Sequence, residues 1–167
     1  MAVLDVYANA LSAAGKKAPP YFAGGGQLLC ILFTYEIAAA DDDASVIRIG
    51  RLPANAIPVK GELFADALTS GTDYDCGLYK PGVGGAVVDK DLFADALDPA
   101  SGEAITAPLN LLTNLGGADP VGNYGKTLWE LLGLTRAGRQ DYDLAITANT
   151  IGSAAGTISG NFWYIIG

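Results

Sequence analysis

An all-β fold, an antiparallel β-sandwich of jelly-roll type, is what this sequence predicts, and three observations carry that reading. Seven or eight short segments alternate apolar with polar residues or run apolar on both faces. Gly, Pro and Asn break the chain between them, with 22 glycines in 167 residues. One stretch, near residues 127–134, has the marks of a helix. Short strands separated by turns favour two packed sheets, and eight of them fit a jelly roll. A chain of this length fits one domain, which buries roughly 70% of the surface its unfolded form exposes. Half of the residues are hydrophobic and 17% are charged, a composition that folds rather than one that stays disordered.

Residues 1–26 read as an extended N-terminal arm and residues 27–167 as the sandwich domain. The arm joins a stiff pair, Pro19-Pro20, to a loose run, Gly24-Gly25-Gly26. Tyr21 and Phe22 lie between them. They either fold back on their own domain or dock on a neighbouring subunit. The first strand is expected over residues 27–37. Leu29, Ile31, Phe33, Tyr35 and Ile37 share one face, and Leu28, Cys30, Leu32 and Thr34 share the other. With both faces apolar at its start, this strand is expected at the centre of a sheet or covered on both sides. Asp41-Asp42-Asp43 makes an acidic turn.

Residues 45–52 form the next strand, with Ile47 and Ile49 on one side. Leu52-Pro53-Ala54-Asn55 reads as a turn with proline at its second position. Residues 57–63 resume the alternation, with Ile57, Val59 and Leu63 against Lys60 and Glu62. Residues 72–80 set Tyr74, Cys76 and Leu78 against Asp73, Asp75 and Gly77. Residues 81–85 (Pro-Gly-Val-Gly-Gly) close a hairpin-like loop, and a further short strand starts at 86–88. Residues 98–126 are irregular, broken by Pro99, Pro108 and Pro120. Thr127-Leu128-Trp129-Glu130 has the spacing of a capping box and opens a short helix to Leu134.

Two strands finish the chain, over residues 141–148 and 157–166. Tyr142, Leu144 and Ile146 point inward, with Asp141 and Asp143 outward. Ile158, Phe162, Tyr164 and Ile166 face in, and Trp163 lies off that face. Trp163 packs against the second sheet or an oligomer neighbour, or serves as an exposed aromatic for a ligand. Asp-Tyr-Asp occurs at 73–75 and again at 141–143, each time opening an alternating strand. The echo points to similar local tasks at similar corners of one sandwich, with chance in an Asp-rich chain as the alternative.

The side chains leave little chemistry. With no histidine, serine triads, histidine acid–base catalysis and most zinc sites are removed. Gly82-Val83-Gly84-Gly85 lacks the Lys-Ser/Thr of a phosphate cradle and reads as a turn. Asp73, Asp75, Asp141 and Asp143 share an outer face if their strands are neighbours. Paired-carboxylate glycoside hydrolysis would also need an aromatic-lined cleft, and calcium is the metal such oxygens would suit. Solvated turns and faces are the simpler reading, so neither a catalytic set nor a cofactor is assigned. Cys30 and Cys76 lie in apolar runs and read as buried free thiols, one disulfide being the alternative. The net charge is 10 − 18 = −8, the wrong sign for nucleic acid or an anionic membrane. The first ten residues lack the basic start of a signal peptide, and no apolar run reaches the roughly 18 residues of a membrane span. Lys16 and Lys17 form the one adjacent basic pair, suited at most to an acidic patch on a partner.

Several strings carry a family resemblance. Gly-Thr-Asp-Tyr-Asp-Cys-Gly-Leu-Tyr-Lys-Pro (71–81) is followed by Gly-Gly-Ala-Val-Val-Asp-Lys-Asp-Leu-Phe-Ala (84–94). Ile-Arg-Ile-Gly-Arg-Leu-Pro-Ala-Asn-Ala (47–56), Leu-Trp-Glu-Leu-Leu-Gly-Leu (128–134) and Tyr-Asp-Leu-Ala-Ile-Thr-Ala-Asn-Thr (142–150) accompany them, with Gly-Thr-Ile-Ser (156–159) near the end. Together they resemble the capsid cement, or head decoration, proteins of tailed bacteriophages. The resemblance spans roughly residues 27–166 and does not reach residues 1–26 or 98–126. It implies a non-enzymatic virion protein, made in the host cytoplasm, on the outside of the capsid. There it would stabilise the shell by bridging major capsid subunits, as a homo-dimer or homo-trimer. Lys16, Lys17, Tyr21, Phe22 and Trp163 are then the expected capsid or subunit contacts. The competing expectation is a β-sandwich carbohydrate- or receptor-binding module of a phage fibre or surface protein, for which an exposed Trp163 would be the best candidate.

Overall fold

Among the described residues, the alternation read from the sequence becomes eight strands and two single-turn helices. They run β1 (Leu28–Ile37), β2 (Val46–Pro53), β3 (Ala56–Ala65), β4 (Asp73–Tyr79), β5 (Val87–Leu97), β6 (Leu109–Asn110), α1 (Pro120–Asn123), α2 (Leu128–Leu131), β7 (Asp141–Thr150) and β8 (Gly156–Ile166). The computed structural model describes residues 27–37, 43–66, 73–98, 108–136, 138–150 and 155–167. The arm, with Lys16, Lys17, Tyr21 and Phe22, lies outside the described residues, as do Asp41 and Asp42.

The strands form two four-stranded antiparallel sheets, ordered β1-β8-β3-β6 and β2-β7-β4-β5. The pairings β1–β8, β2–β7, β3–β6 and β4–β5 are nested. One long antiparallel hairpin is thus folded over on itself, and β8–β3 and β7–β4 pairing closes each half into a sheet. That is the jelly roll the sequence predicts.

The core lies between the sheets. Tyr74, Cys76 and Leu78 of β4 and Leu144 and Ile146 of β7 face Leu63 of β3 and Ile158 and Phe162 of β8, all buried. Phe93 of β5 meets Phe162 across the gap, with ring centroids 5.2 Å apart. Each such side chain contributes about 1.5–3 kcal/mol by leaving water. The capping box at Thr127 forms. Glu130 Oε2 accepts the Thr127 backbone N–H at 2.9 Å and its hydroxyl at 2.6 Å. The helix lasts one turn, Leu128–Leu131, rather than running to 134. Leu128 is buried, and the Trp129 amide donates to Ala54 O at 3.0 Å, which fixes α2 on the β2–β3 turn.

Four expectations are corrected. β1 is an edge strand, with β8 as its sole neighbour among the described residues. Its outward residues Leu28 and Leu32 are 51% and 78% exposed. Cys30 is exposed as well, while Cys76 is buried, and both are free thiols. The strand beginning near 87 is not short but spans eleven residues. Asp75 and Asp143 do not point to solvent; they are 0% and 5% exposed. The length of β5 and the burial of Asp75 share a cause, because β5 folds over the outer face of its own sheet and meets Asp75 through Lys90 and the Ala96 amide. The ladder from β4 to β5 shifts register three times, and the chain crosses Gly77 so closely that a Cβ there would lie 2.1 Å from Asp89 O. Only glycine fits beneath that crossing.

Candidate interaction surfaces

Burial of both faces of β4 and β7 leaves two carboxylates in need of partners, since an unpaired buried charge costs several kcal/mol. Asp143 on β7 takes Arg48 Nη1 at 3.0 Å and Arg51 Nε at 2.8 Å, both from β2, and the Gly82 amide at 2.8 Å. Burial alone would raise its carboxyl, but the hydrogen bonds from Arg51, Gly82 and Arg48 outweigh that and hold it below the usual range. Arg48 also donates to Lys80 O and Gly85 O at 3.0 and 3.1 Å and lies over the Tyr79 ring. The loop at 80–86 is thereby fixed at both ends. Its glycines Gly82 and Gly84 have positive φ, 95° and 74°, which a hairpin turn requires and glycine supplies.

Asp75 on β4 is the counterpart. Its carboxylate accepts Lys90 Nζ at 2.6 Å and the Ala96 amide at 3.1 Å, and Lys90 also donates to Asn149 Oδ1 at 2.8 Å. Burial pushes this carboxyl up, yet Lys90, Asn149 and the Ala96 amide bring it below the usual range. Nearby, burial and the neighbouring Asp91 push Asp89 up to about 6.

Each Asp-Tyr-Asp string therefore sends its second carboxylate to pin an irregular piece of chain: the 80–86 loop for Asp143, the bulged β5 for Asp75. The sequence reading missed the cations, Arg48, Arg51 and Lys90. The signal for two of them is that Arg48 and Arg51 interrupt the alternation of β2. The four aspartates do not gather. Asp75 is in register with Thr147, and Asp143 with Tyr79. The two are thus separated along the sheet by roughly 13 Å at about 3.3 Å per residue. No group of three or more His, Cys, Asp or Glu that could hold a metal occurs among the described residues.

The other exposed feature is the outer face of the β1-β8-β3-β6 sheet. Trp163 is in register with Cys30 on one side and Lys60 on the other. It faces away from the second sheet and is half-buried. It lines a depression of about 290 Å³ with Leu28, Val59, Lys60, Glu62 and Asn161. A second depression, about 380 Å³, continues past Lys60 and Glu62 to Asn110, Pro120 and Tyr124. Between them Lys60 Nζ and Glu62 Oε1 form an ion pair at 2.8 Å. Both hollows are open to solvent, and Glu62, their one carboxylate, is held by Lys60. Among the described residues, no helix is long and apolar enough to cross a membrane.

No protein-family model matches the sequence, and no curated protein matches it. Solved structures do share its fold. A chain in the capsid of Ralstonia phage GP4 superposes with a TM-score of 0.55 at 19% identity, covering 85% of this chain and 86% of that one. A chain in the capsid asymmetric unit of cyanophage Pam1 superposes with a TM-score of 0.53 at 17% identity, covering 96% of this chain and 100% of that one.

Proposed function

We propose that this chain is a non-enzymatic structural protein of a tailed-phage virion, bound to the outer surface of the capsid. In this reading it stabilises the shell by bridging major capsid subunits. One observation carries it: over 96% of its length this chain shares its fold with a chain of the cyanophage Pam1 capsid asymmetric unit, matched over 100% of that chain. The buried polar groups agree with a passive role, because Asp75 and Asp143 are consumed in holding β5 and the 80–86 loop. A net charge of −8 suits a surface turned away from packaged DNA. Lys16, Lys17, Tyr21 and Phe22 of the arm, and Trp163 on the outer face, are the proposed contacts to capsid or neighbouring copies.

Mixing the purified protein with expanded capsids that lack it tests this. Saturable binding and a higher shell disruption temperature are expected. Absence of binding to any maturation state overturns the proposal.

The carbohydrate-binding alternative has one feature in its favour, the placing of Glu62 and Asn161 beside the Trp163 ring. Against it, the neighbours of that ring include Leu28 and Val59, a largely apolar setting. A glycan array decides: a hit lost in Trp163→Ala supports the module, and a blank array removes it.

A further inference from the structure

Three strands bring Asp75 of β4, Lys90 of β5 and Asn149 of β7 to one point. Lys90 Nζ lies 2.6 Å from Asp75 Oδ2 and 2.8 Å from Asn149 Oδ1. The second carboxylate oxygen of Asp75 takes the Ala96 amide at 3.1 Å, so the group is fixed on both sides. Its side chain is 1% exposed. Burial pushes this carboxyl up, and hydrogen bonds from Lys90, the Asn149 amide and Ala96 more than offset it. One buried carboxylate therefore meets both an amine and a carboxamide, and these two also touch each other.

Two other lysines lie near an asparagine, and each lacks part of this arrangement. Lys126 Nζ donates to Asn123 Oδ1 at 2.7 Å on the surface, with no carboxylate hydrogen-bonded to either among the described residues. Glu62 takes Lys60 at 2.8 Å and Asn161 at 2.9 Å. There Lys60 makes no hydrogen bond to Asn161 among the described residues, and 57% of its side chain is exposed.

An amine held against a carboxamide can displace ammonia from it and form a new amide. Lys90 Nζ is no farther than about 4 Å from Asn149 Cγ, since a C=O bond adds about 1.2 Å to the hydrogen-bond distance. A near-attack distance is about 3–3.5 Å, so a small side-chain rotation suffices. We propose that Lys90 and Asn149 become joined by an intramolecular amide bond, Nζ to Cγ, with Asp75 as the proton carrier.

The step balances within the three groups. The Lys90 ammonium passes one proton to Asp75 Oδ2. The neutral amine attacks Asn149 Cγ, and the carbonyl electron pair moves onto Oδ1. Asp75 gives its proton to Nδ2 and takes a second from Nζ. The pair on Oδ1 re-forms the carbonyl as the Cγ–Nδ2 bond breaks. Ammonia leaves, taking the proton from Asp75 as ammonium and returning Asp75 to its carboxylate. One ammonium and one primary amide become one secondary amide and one ammonium ion, with nothing oxidised or reduced. The hydrogen bond and charge of Asp75, aided by Asp91 and Tyr79, raise the pKa of Lys90. The amine is thus seldom neutral near pH 7, and the reaction is slow there. Once made, the bond ties β5 to β7 across β4. It closes a loop between residues 59 apart, which restricts the unfolded chain as a disulfide does. None of this depends on the virion reading.

Intact-mass spectrometry of the purified full chain, incubated at pH 9 to free more of the amine, tests the proposal. The expected product is lighter than the sequence mass by one ammonia. Its digest should contain a branched peptide that joins the segments around Lys90 and Asn149. Lys90→Arg keeps a cation for Asp75, and Asn149→Ala removes the carbonyl; both should retain their full sequence mass. A wild type that stays at the sequence mass overturns the inference. So does an ammonia loss that persists in Lys90→Arg, because Asn149 cyclising on its own backbone sheds the same molecule. A branched peptide through Lys60 or Lys126 in place of Lys90 overturns it as well.

Discussion

Replacing Asp143 by Asn keeps the side chain's shape and removes the charge that Arg48, Arg51 and the Gly82 amide converge on. Breaking one side of a buried charge pair leaves its partners desolvated, so Asp143→Asn should cost roughly 2–4 kcal/mol in urea unfolding. Amides of the 80–86 loop should exchange faster in the same variant. The pH dependence follows from the direction of each shift. Asp75 and Asp143 titrate below the usual range when folded. Their stabilisation is present above the unfolded value of about 3.9 and is lost as pH falls through the folded values. Asp89 is opposite: pushed up to about 6, it favours the protonated form, so stability drops as pH rises from about 3.9 to 6. Asp75 and Asp143 thus contribute an acid limb to the pH–stability curve, and Asp89 a limb that falls toward neutral pH. Asp143→Asn should flatten its acid limb, and Asp89→Asn its neutral limb; a curve unchanged in both variants would contradict the assignment. The sequence marks both paired carboxylates through the Asp-Tyr-Asp echo, yet two-residue alternation aims them at solvent. Their burial depends on Arg48 and the crossing of β5, contacts made between residues far apart in the chain.

At the level of elements, Gly77 is where one strand lets another pass. A methyl group there would lie 2.1 Å from Asp89 O and 2.4 Å from the Lys90 carbonyl carbon, backbone atoms that move only if β5 moves. Gly77→Ala should therefore destabilise by about 2–3 kcal/mol. Gly138→Ala, whose added carbon would meet only Gln140 Cγ at 3.7 Å, should lie within about 0.5 kcal/mol of wild type. Equal effects from the two would remove the crossing as the reason for glycine. Strand positions were largely legible, because alternation at period two is local: β2, β4, β7 and β8 begin within a residue of the expected starts. Strand neighbours were not. Apolar residues on both faces of β1 read as a central strand, but sheet position depends on which distant strand pairs beside it. Here β8 takes the central place between β1 and β3. Nor did local pattern give the length of β5, since Asp89, Lys90, Asp91 and Asp95 break its alternation where it bulges.

For the molecule as a whole, the nested pairing makes the two sheets one cooperative unit. β1 finds its partner in β8 and β2 finds β7, so neither sheet closes until the last strands are placed. Both sheets also share one core, through contacts such as Phe93 with Phe162. Unfolding one sheet alone would expose the inner face of the other, which favours a single two-state transition. The chain carries separate reporters for each half. Trp163 lies in the β1-β8-β3-β6 sheet, and Cys76 is buried in the β2-β7-β4-β5 sheet. In a Cys30→Ser background, thiol trapping reads the second sheet alone. Tryptophan fluorescence reads Trp163 together with Trp129 on α2, which is fastened to the β2–β3 turn. Over a urea series the fluorescence midpoint and the midpoint for Cys76 trapping should coincide. If Cys76 becomes reactive at a urea concentration where the tryptophan signal is still native, the sheets open separately and the single-core account fails. Coincidence would also give the virion proposal a mechanical basis: a load applied at the outer face of one sheet is resisted by the stability of the entire jelly roll.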